Sequence, residues 1–381
     1  MNRTPGTYRP IAVMGKQYNA FIPNPLPPRM RLSAATERAV EEATRLFGRV
    51  DSYRDFIDIL PVVGLLHFTS LRREALASST IEGTITTPEA LLRFETSGED
   101  EGDHSVREVA NYRAALQWGL EELDSRPLTV EFIRNLHARL MFRVRGASGA
   151  GEFKRNQNAI GSGPDDTIDE AVYIPPPPEA TLDLMYALER YINSENDERR
   201  VVQVALVHYQ FESIHPFSDG NGRVGRLLIV LQLIQTGLIR GPMIYPSVYF
   251  ERNRQAYYHH LQSVREGGDW DAWVRFFAEG MIQQAKHSIE LSRTVLALRD
   301  EIYKRVAGIR RRASVAAVLD AFFSDPIPRV ADIMRISGIK SPHTVQVALQ
   351  ALQEQGLVVE LSGKLRGRQY ACKPLLDVAF S

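Results

Sequence analysis

Two strongly apolar segments, Val201 to Phe211 and Val224 to Ile234, bracket a turn that contains His215, Pro216, Asp219, Gly220, Asn221, Gly222 and Arg223. Both segments read as helices buried in a core. Pro216 disfavours helical geometry at His215, so the first helix ends near there. Gly220 and Gly222 allow backbone angles that a Cβ forbids. The frame is therefore buried helix, glycine turn, buried helix, with the turn at the N-terminus of the second helix. That end presents free N–H groups and the positive pole of the helix dipole, a natural seat for a phosphate.

The side chains in the turn suit the same chemistry. His215 carries an imidazole, which ordinarily titrates around pH 6.5. Asp219 offers hard carboxylate oxygen, which favours Mg²⁺ over a soft metal. The N–H groups around Gly220, Asn221 and Gly222 can converge on one anion. Arg223 and Arg226 are three residues apart and share a helix face. Both stay charged and can fork onto phosphate oxygens. A lone Gly-x-Gly would be an ordinary surface turn; here His, Asp, two Gly and two Arg stand in a fixed order.

The run His215-Pro216-Phe217-Ser218-Asp219-Gly220-Asn221-Gly222-Arg223-Val224-Gly225-Arg226 resembles the signature of Fic-domain proteins, His-x-Phe-x-(Asp/Glu)-Gly-Asn-Gly-Arg-x-x-Arg, at every fixed position. The resemblance implies an adenylyltransferase that moves AMP from ATP to a protein hydroxyl with Mg²⁺. It also implies a mainly α, Fic-type helical core. Carried over residue by residue, His215 is similar to the general base. Asp219 is similar to the Mg²⁺ ligand, and Gly220, Asn221 and Gly222 to the anion-binding turn. Arg223 and Arg226 resemble the clamps on the β and γ phosphates. Val224 and Gly225 lie inside the same ATP-binding stretch, and Phe217 reads as a buried anchor of the loop.

A second match lies upstream. Ser78-Ser79-Thr80-Ile81-Glu82-Gly83 resembles the family's inhibitory pattern, (Ser/Thr)-x-x-x-Glu-(Gly/Asn). The resemblance pairs Glu82 with Arg226, which also puts Glu82 at the ATP site. A carboxylate on that guanidinium would keep its fork from the γ-phosphate. Read without the family, the segment is a helix end capped by Gly83.

Residues Gly151 to Gly161 and Ala171 to Ile174 form two β-like runs around a Gly/Pro/Asp-rich turn, Gly161 to Asp166. They read as a small β-hairpin. The hairpin resembles the Fic flap, which implies a protein substrate bound along residues 160–175 by strand addition. Pro175 to Pro178 reads as a stiff exit or, alternatively, an interaction motif. Asn253 and Tyr257 are four apart in a helical segment and resemble the residues that flank the adenine and its ribose; the competing reading is aromatic core packing.

The chain has 381 residues, enough for two or three domains. Its formal net charge is zero, which gives no general attraction to nucleic acid or membrane. The single cysteine, Cys372, excludes an internal disulfide and suits a reducing, cytoplasmic setting. No apolar run approaches a membrane span, and no signal peptide opens the sequence. The expected organisation is an N-terminal region (1–100), a Fic core (101–290), a connecting helix (291–312) and a C-terminal domain (313–381). Met1 to Met30, rich in proline, reads as an extended arm. Helices are expected at Ser33 to Phe47, Val63 to Ser78, Ser105 to Glu122, Thr129 to Phe142, Thr181 to Ser194 and Trp270 to Arg299, with an acidic break at Glu95 to Asp103.

Residues 304–381 carry twelve Lys/Arg against six Asp/Glu. Helices at Ser314 to Phe323, Val330 to Ile336 and Pro342 to Gln355 precede strands at Leu357 to Leu361 and Gln369 to Ala371. That order resembles a winged helix-turn-helix. His343, Thr344 and Gln346 would open the recognition helix, and Lys364, Arg366 and Arg368 would lie on the wing. DNA is one expected partner; protein interaction or dimerisation is the other. Two function classes stand: an adenylyltransferase restrained by Glu82, and a DNA-binding regulator whose Fic core senses nucleotide. The reverse reaction, removal of AMP, uses the same residues. The family resemblance also implies a homodimer.

Overall fold

A computed structural model describes residues 4–58, 62–87, 90–91, 94, 104–144, 148–161, 167–195, 198–309, 312–361 and 368–380. The acidic break at 95–103, the turn at 162–166 and the wing residues Lys364 and Arg366 lie outside them. The chain divides into two compact units, Met1–Phe47 with Glu74–Gln284, and Gly48–Arg73 with Ala285–Ser381. Helices α1 (Ala34–Asp58), α2 (Val63–Ile81) and α10 (Trp270–Val306) each run through a boundary. The cut after Phe47 falls inside α1, whose last turns group with the C-terminal residues.

The first unit opens with a β-hairpin in place of the expected extended arm. Strand β1 (Gly6–Val13) pairs antiparallel with β2 (Lys16–Pro23), from Gly6↔Pro23 to Val13↔Lys16. The two turn residues, Met14 and Gly15, have φ of 49° and 81°. A two-residue turn with both φ positive matches the twist of the strands it joins. Its signal is weak in the sequence because methionine rarely takes that conformation. Lys16 Nζ and Tyr18 Oη bond the Asp169 carboxylate at 2.6 and 2.7 Å, and the Phe21 N–H donates to Ile174 O at 2.9 Å.

Helices α3 (His104–Leu123), α4 (Val130–Leu140), α5 (Pro178–Asn193), α6 (Arg200–Ile214) and α7 (Asn221–Gln235) form the core of this unit. Thr129 caps α4 by accepting from the Phe132 N–H at 3.1 Å. Helix α6 is buried on every face from Val201 to Ile214. A helix apolar all round belongs in the centre of a core. The Trp273 indole donates to Ala205 O at 2.9 Å and ties the start of α10 to α6. Between 160 and 174 the described residues form an isolated bridge, Ile160↔Tyr173, and one 3₁₀ turn, Ile168–Glu170, rather than two paired strands. The expected single helix after α7 is broken into α8 (Ser247–Arg252) and α9 (Arg254–Gly267).

In the second unit, α11 (Arg312–Ser324), α12 (Val330–Ser337) and α13 (Pro342–Glu354) precede β3 (Val358–Glu360), β4 (Tyr370–Cys372) and α14 (Lys373–Phe380). The final helix lies beyond the expected elements. Strands β3 and β4 pair antiparallel, Val358↔Cys372 to Glu360↔Tyr370, and the bridge Arg329↔Gln369 adds a short third edge. Ser341 caps α13 by accepting from the Thr344 N–H at 3.3 Å. His343 and Gln346 are exposed on that helix.

Gly64 on α2 lies against the end of α11: a Cβ there would stand 1.9 Å from the Ser324 carbonyl oxygen. Because backbone cannot yield as a side chain can, Gly64→Ala is expected to destabilise the fold by about 1–3 kcal/mol. Urea denaturation checks this, and an unchanged midpoint would contradict the close approach.

Candidate functional site

Helix α6 ends at His215, which adopts φ 49° and ψ 61°. Its N–H donates to Phe211 O at 2.9 Å, and the left-handed conformation turns the chain out of the helix. Gly220, at φ 77°, then starts α7. Between them Asn221 closes a small ring: its Oδ1 accepts from the Phe217 N–H and its Nδ2 donates to Phe217 O, both at 2.8 Å. The Asn221 side chain therefore fixes the turn at the start of α7. Phe217 is fully buried and stacks on His137, with centroids 3.8 Å apart and planes 8° apart.

Both motif arginines are occupied. Arg226 is 1% exposed. Its Nε donates to Ser78 Oγ at 2.8 Å, and its Nη2 donates to Ser78 O at 2.8 Å and to Glu82 Oε1 at 2.6 Å. Gly83, at φ 87°, ends α2 in a Schellman arrangement: its N–H donates to Thr80 O and that of Thr84 to Ser79 O, both at 3.0 Å. The helix cap and the Arg226 partner are thus one device, because the cap holds Glu82 at the end of α2. Gly222 is needed beneath it, since a Cβ there would lie 2.2 Å from Glu82 Oε1. Arg223 donates to Glu108 Oε2 at 2.9 Å and stands 3.5 Å from Asp219 Oδ1. The same Glu108 oxygen accepts from Thr84 Oγ1 at 2.7 Å. Glu108 has no sequence signal, because a glutamate on an amphipathic helix is ordinarily solvated.

Asp219 remains more than half exposed, with its Oδ1 accepting from the Gly220 N–H at 2.5 Å. Among the described residues no group of three His, Cys, Asp or Glu could hold a metal by itself. A lone exposed carboxylate fits Mg²⁺ that arrives on a polyphosphate, since that ion keeps most of its ligands as water and phosphate oxygen.

Three histidines, the buried His137 and His208 and the half-buried His215, are held neutral. Burial, with the nearby charges of Lys154 and Arg265, pushes His215 down to about 3. The Glu212 carbonyl favours the protonated ring, although His215 Nδ1 has no hydrogen-bond partner among the described residues. Burial also lowers His137 to about 4 and His208 to about 3. His137 Nδ1 accepts from the Gly151 N–H at 2.9 Å, so Nε2 carries the proton and donates to Asp219 O at 3.1 Å. By the same logic His208 Nδ1 donates to Gly225 O at 3.2 Å, and Nε2 accepts from Tyr257 Oη at 2.8 Å. Glu212 lies fully inside, raised to about 7 by burial, with Oε1 2.2 Å from where a Gly225 Cβ would be.

Of the two expected adenine neighbours, Tyr257 is 1% exposed and stacks on Phe250, in line with the core-packing reading. Asn253 sits at the break between α8 and α9, its Nδ2 donating to Tyr249 O at 2.9 Å. The next residue after Tyr257, Tyr258, is 43% exposed, and the charges of Glu82 and Arg226 act on its hydroxyl. Val224 and Gly225 are buried in the first turns of α7.

The histidines set an acid limit on stability. Their folded-state values lie below the ordinary 6.5, so the unfolded chain binds more protons as pH falls from about 6.5 toward 3–4. A tenfold loss of proton affinity on folding corresponds to about 1.4 kcal/mol. Glu212 works in the opposite sense between 4.5 and about 7. The urea midpoint is expected to fall between pH 7 and pH 4; a flat or rising midpoint would contradict three rings held neutral by the fold.

Comparison with known proteins agrees with this geometry. A family model described as "Fic/DOC family N-terminal" matches residues 38–121, and one described as "Fic/DOC family" matches residues 127–233. "Protein adenylyltransferase Fic" of Drosophila melanogaster is 36% identical over 154 residues, which are 40% of this chain and 28% of that protein. The protein of the same name from Drosophila yakuba is 38% identical over 154 residues, again 28% of its length. The chain thus aligns with under a third of the length of these relatives. The crystal structure of a Fic family protein from Desulfovibrio desulfuricans G20 superposes with a TM-score of 0.58 at 20% identity, covering 91% of this chain and 98% of that one. Fic-1 from C. elegans superposes with a TM-score of 0.53 at 21% identity, covering 68% and 75%. These two structures speak to the fold alone. With two matched models that together span about half of its residues and a Fic fold, the chain belongs to the Fic/DOC family.

Proposed function

We propose that this chain transfers AMP from ATP to a Ser, Thr or Tyr hydroxyl of a protein, itself included, and that Glu82 restrains the reaction. The observation that carries the reading is the turn between α6 and α7. A neutral, half-buried His215 stands at one end of it, and α7 opens at the other, with Arg226 covered by Glu82. The relatives' shared name, protein adenylyltransferase, supports the activity.

In this reading the free N–H groups at the start of α7 and the guanidinium of Arg223 hold the phosphates. Asp219 would hold Mg²⁺, which when bound neutralises phosphate charge. His215, unprotonated at neutral pH, takes the proton of the target hydroxyl as its oxygen attacks the α-phosphorus and pyrophosphate leaves. Positioned base catalysis of this kind contributes about 10²–10⁴-fold. Glu82 occupies the Arg226 fork that the γ-phosphate would otherwise use, so ATP lies misaligned until the carboxylate withdraws. The target would lie along residues 160–175. The first relatives align over less than a third of their length, so the reading covers this chain's own site.

A second reading concerns residues 312–380. Three helices followed by a β3–β4 pair, with His343 and Gln346 exposed on α13, fit a winged helix-turn-helix that meets DNA or a protein partner, in a homodimer. No helix of the described residues is long and apolar enough to cross a membrane.

The test is label transfer from α-³²P-ATP with Mg²⁺, comparing the native chain, Glu82→Gly and Glu82→Gly/His215→Ala. Labelling is expected to rise at least about tenfold in Glu82→Gly and to vanish in the double variant, the scale of a positioned base. Equal labelling of the native chain and Glu82→Gly would overturn the restraint. Absence of labelling in all three would overturn the transfer reading, and loss of AMP from a pre-modified protein would then favour the reverse reaction.

A further inference from the structure

The left-handed backbone of His215 is not a conformation that a histidine keeps unaided. A non-glycine residue held there is strained and persists only where its surroundings over-determine it. The turn also leaves four successive carbonyls, from Ile214 to Phe217, at the end of a helix that is buried from Val201 to Ile214, and each needs a partner.

Two residues from the segment after Gly151 take all four. Lys154 Nζ donates to Ile214 O at 3.4 Å, and the Lys154 backbone N–H donates to Pro216 O at 2.8 Å. Asn158 Nδ2 donates to His215 O at 3.2 Å and to Phe217 O at 3.0 Å. The two are joined, since Lys154 Nζ also donates to Asn158 Oδ1 at 2.8 Å. Asn158 is thereby fixed as the amide rotamer whose nitrogen faces the turn, because carbonyl oxygens only accept.

Lys154 is 3% exposed and, among the described residues, has no carboxylate partner that would explain an amine in the core. Burial pushes it down to about 7. A buried lysine is costly, and an apolar side chain of similar length would be the stable choice. Both the charged and the neutral amine can donate to Ile214 O and Asn158 Oδ1, so the arrangement does not depend on its protonation state. Retaining the amine there makes sense only if its hydrogen bonds do something that packing cannot.

We propose that Lys154 and Asn158 are positioning residues that clamp the four carbonyls from Ile214 to Phe217 and so hold the His215 imidazole where it can take the target's proton. The proposal rests on reading His215 as the base of AMP transfer. Neither residue touches the nucleotide in this scheme; both act through the backbone of the turn. Asn221 shares Phe217 O with Asn158 but also holds the Phe217 N–H, so the start of α7 keeps its own tie when the clamp is lost; the base should be misplaced and nucleotide binding left intact.

The experiment uses the full chain released by Glu82→Gly, alone and combined with Lys154→Met, Lys154→Arg or Asn158→Ala. A displacement of about 1 Å costs on the order of a hundredfold in rate, so Lys154→Met and Asn158→Ala are expected to lower kcat about tenfold to a hundredfold. The KM for ATP should stay within about threefold and the thermal midpoint of Lys154→Met should hold or rise, as expected for a strained functional group removed from a core. Lys154→Arg should recover part of kcat. A second readout needs no activity: the ¹⁵N resonances of the His215 ring, assigned by their loss in His215→Gln, should shift in Lys154→Met and Asn158→Ala while those of His343 do not. Unchanged kcat with unmoved His215 resonances would overturn the clamp. A parallel loss of kcat, ATP affinity and thermal midpoint would overturn it in favour of a general packing role. If Lys154→Met does not fold, Asn158→Ala carries the comparison. If Glu82→Gly transfers no AMP, the transfer reading fails and the His215 resonances alone decide the clamp.

Discussion

The Arg226 guanidinium lies inside the protein with 1% of its surface exposed, and much of the first unit is arranged around that fact. A buried cation needs an anion and a full set of acceptors, because a charge left unpaired in a core costs several kcal/mol. Helix α2 supplies them through Ser78 and Glu82. The raised Arg226 value follows from Glu82 first among the charges that favour it. The other end of the same stretch of α2 is anchored by Glu74, which accepts from Tyr112 Oη at 2.9 Å and from the Ser247 N–H at 2.9 Å. Removal of Glu82 from Arg226 therefore calls for another anion, and a triphosphate is an anion of the right kind. The restraint and the substrate would compete for one fork.

The turn shows a division of labour between backbone and side chains. In the proposed reading the chemistry sits on His215 and Asp219, while the turn that carries them is held largely by other residues. Asn221 closes the loop on Phe217, His137 stacks on Phe217 and bonds Asp219 O, and Lys154 with Asn158 takes the carbonyls. A site held this way is costly, with three neutral histidines, a buried amine and a carboxyl raised to about 7 within one core. Natural sites commonly carry such local costs where geometry has to be fixed.

The helical frame is legible because its signal is periodic and local. The strongly apolar character of Val201 to Phe211, despite polar breaks at Gln203, His208 and Gln210, reads as a buried helix, and α6 is buried on all sides. Thr129 reads as a cap and is one. The N-terminal hairpin is not legible: proline-rich composition suggests an arm, and the positive φ of Met14 has no sequence signature. The break at Asn253 is hidden for a related reason, since asparagine tolerates both helix and bend and only packing chooses between them.

By itself the sequence determined the helix, turn and helix from α6 to α7, the order of the catalytic-type residues along it, and the cap that ends α2 at Gly83. Those depend on covalent geometry and on residues close together in the chain. Only the tertiary structure decided which distant groups meet there. Glu108 lies 115 positions from Arg223 and Asn158 57 from His215, and no local pattern marks either. The same is true of Tyr257, whose spacing suits a binding face but whose ring is enclosed by Phe250 and Trp273. Burial is a property of the whole packed core, so the protonation states of His215, Lys154 and Glu212 follow from the fold and from nothing shorter.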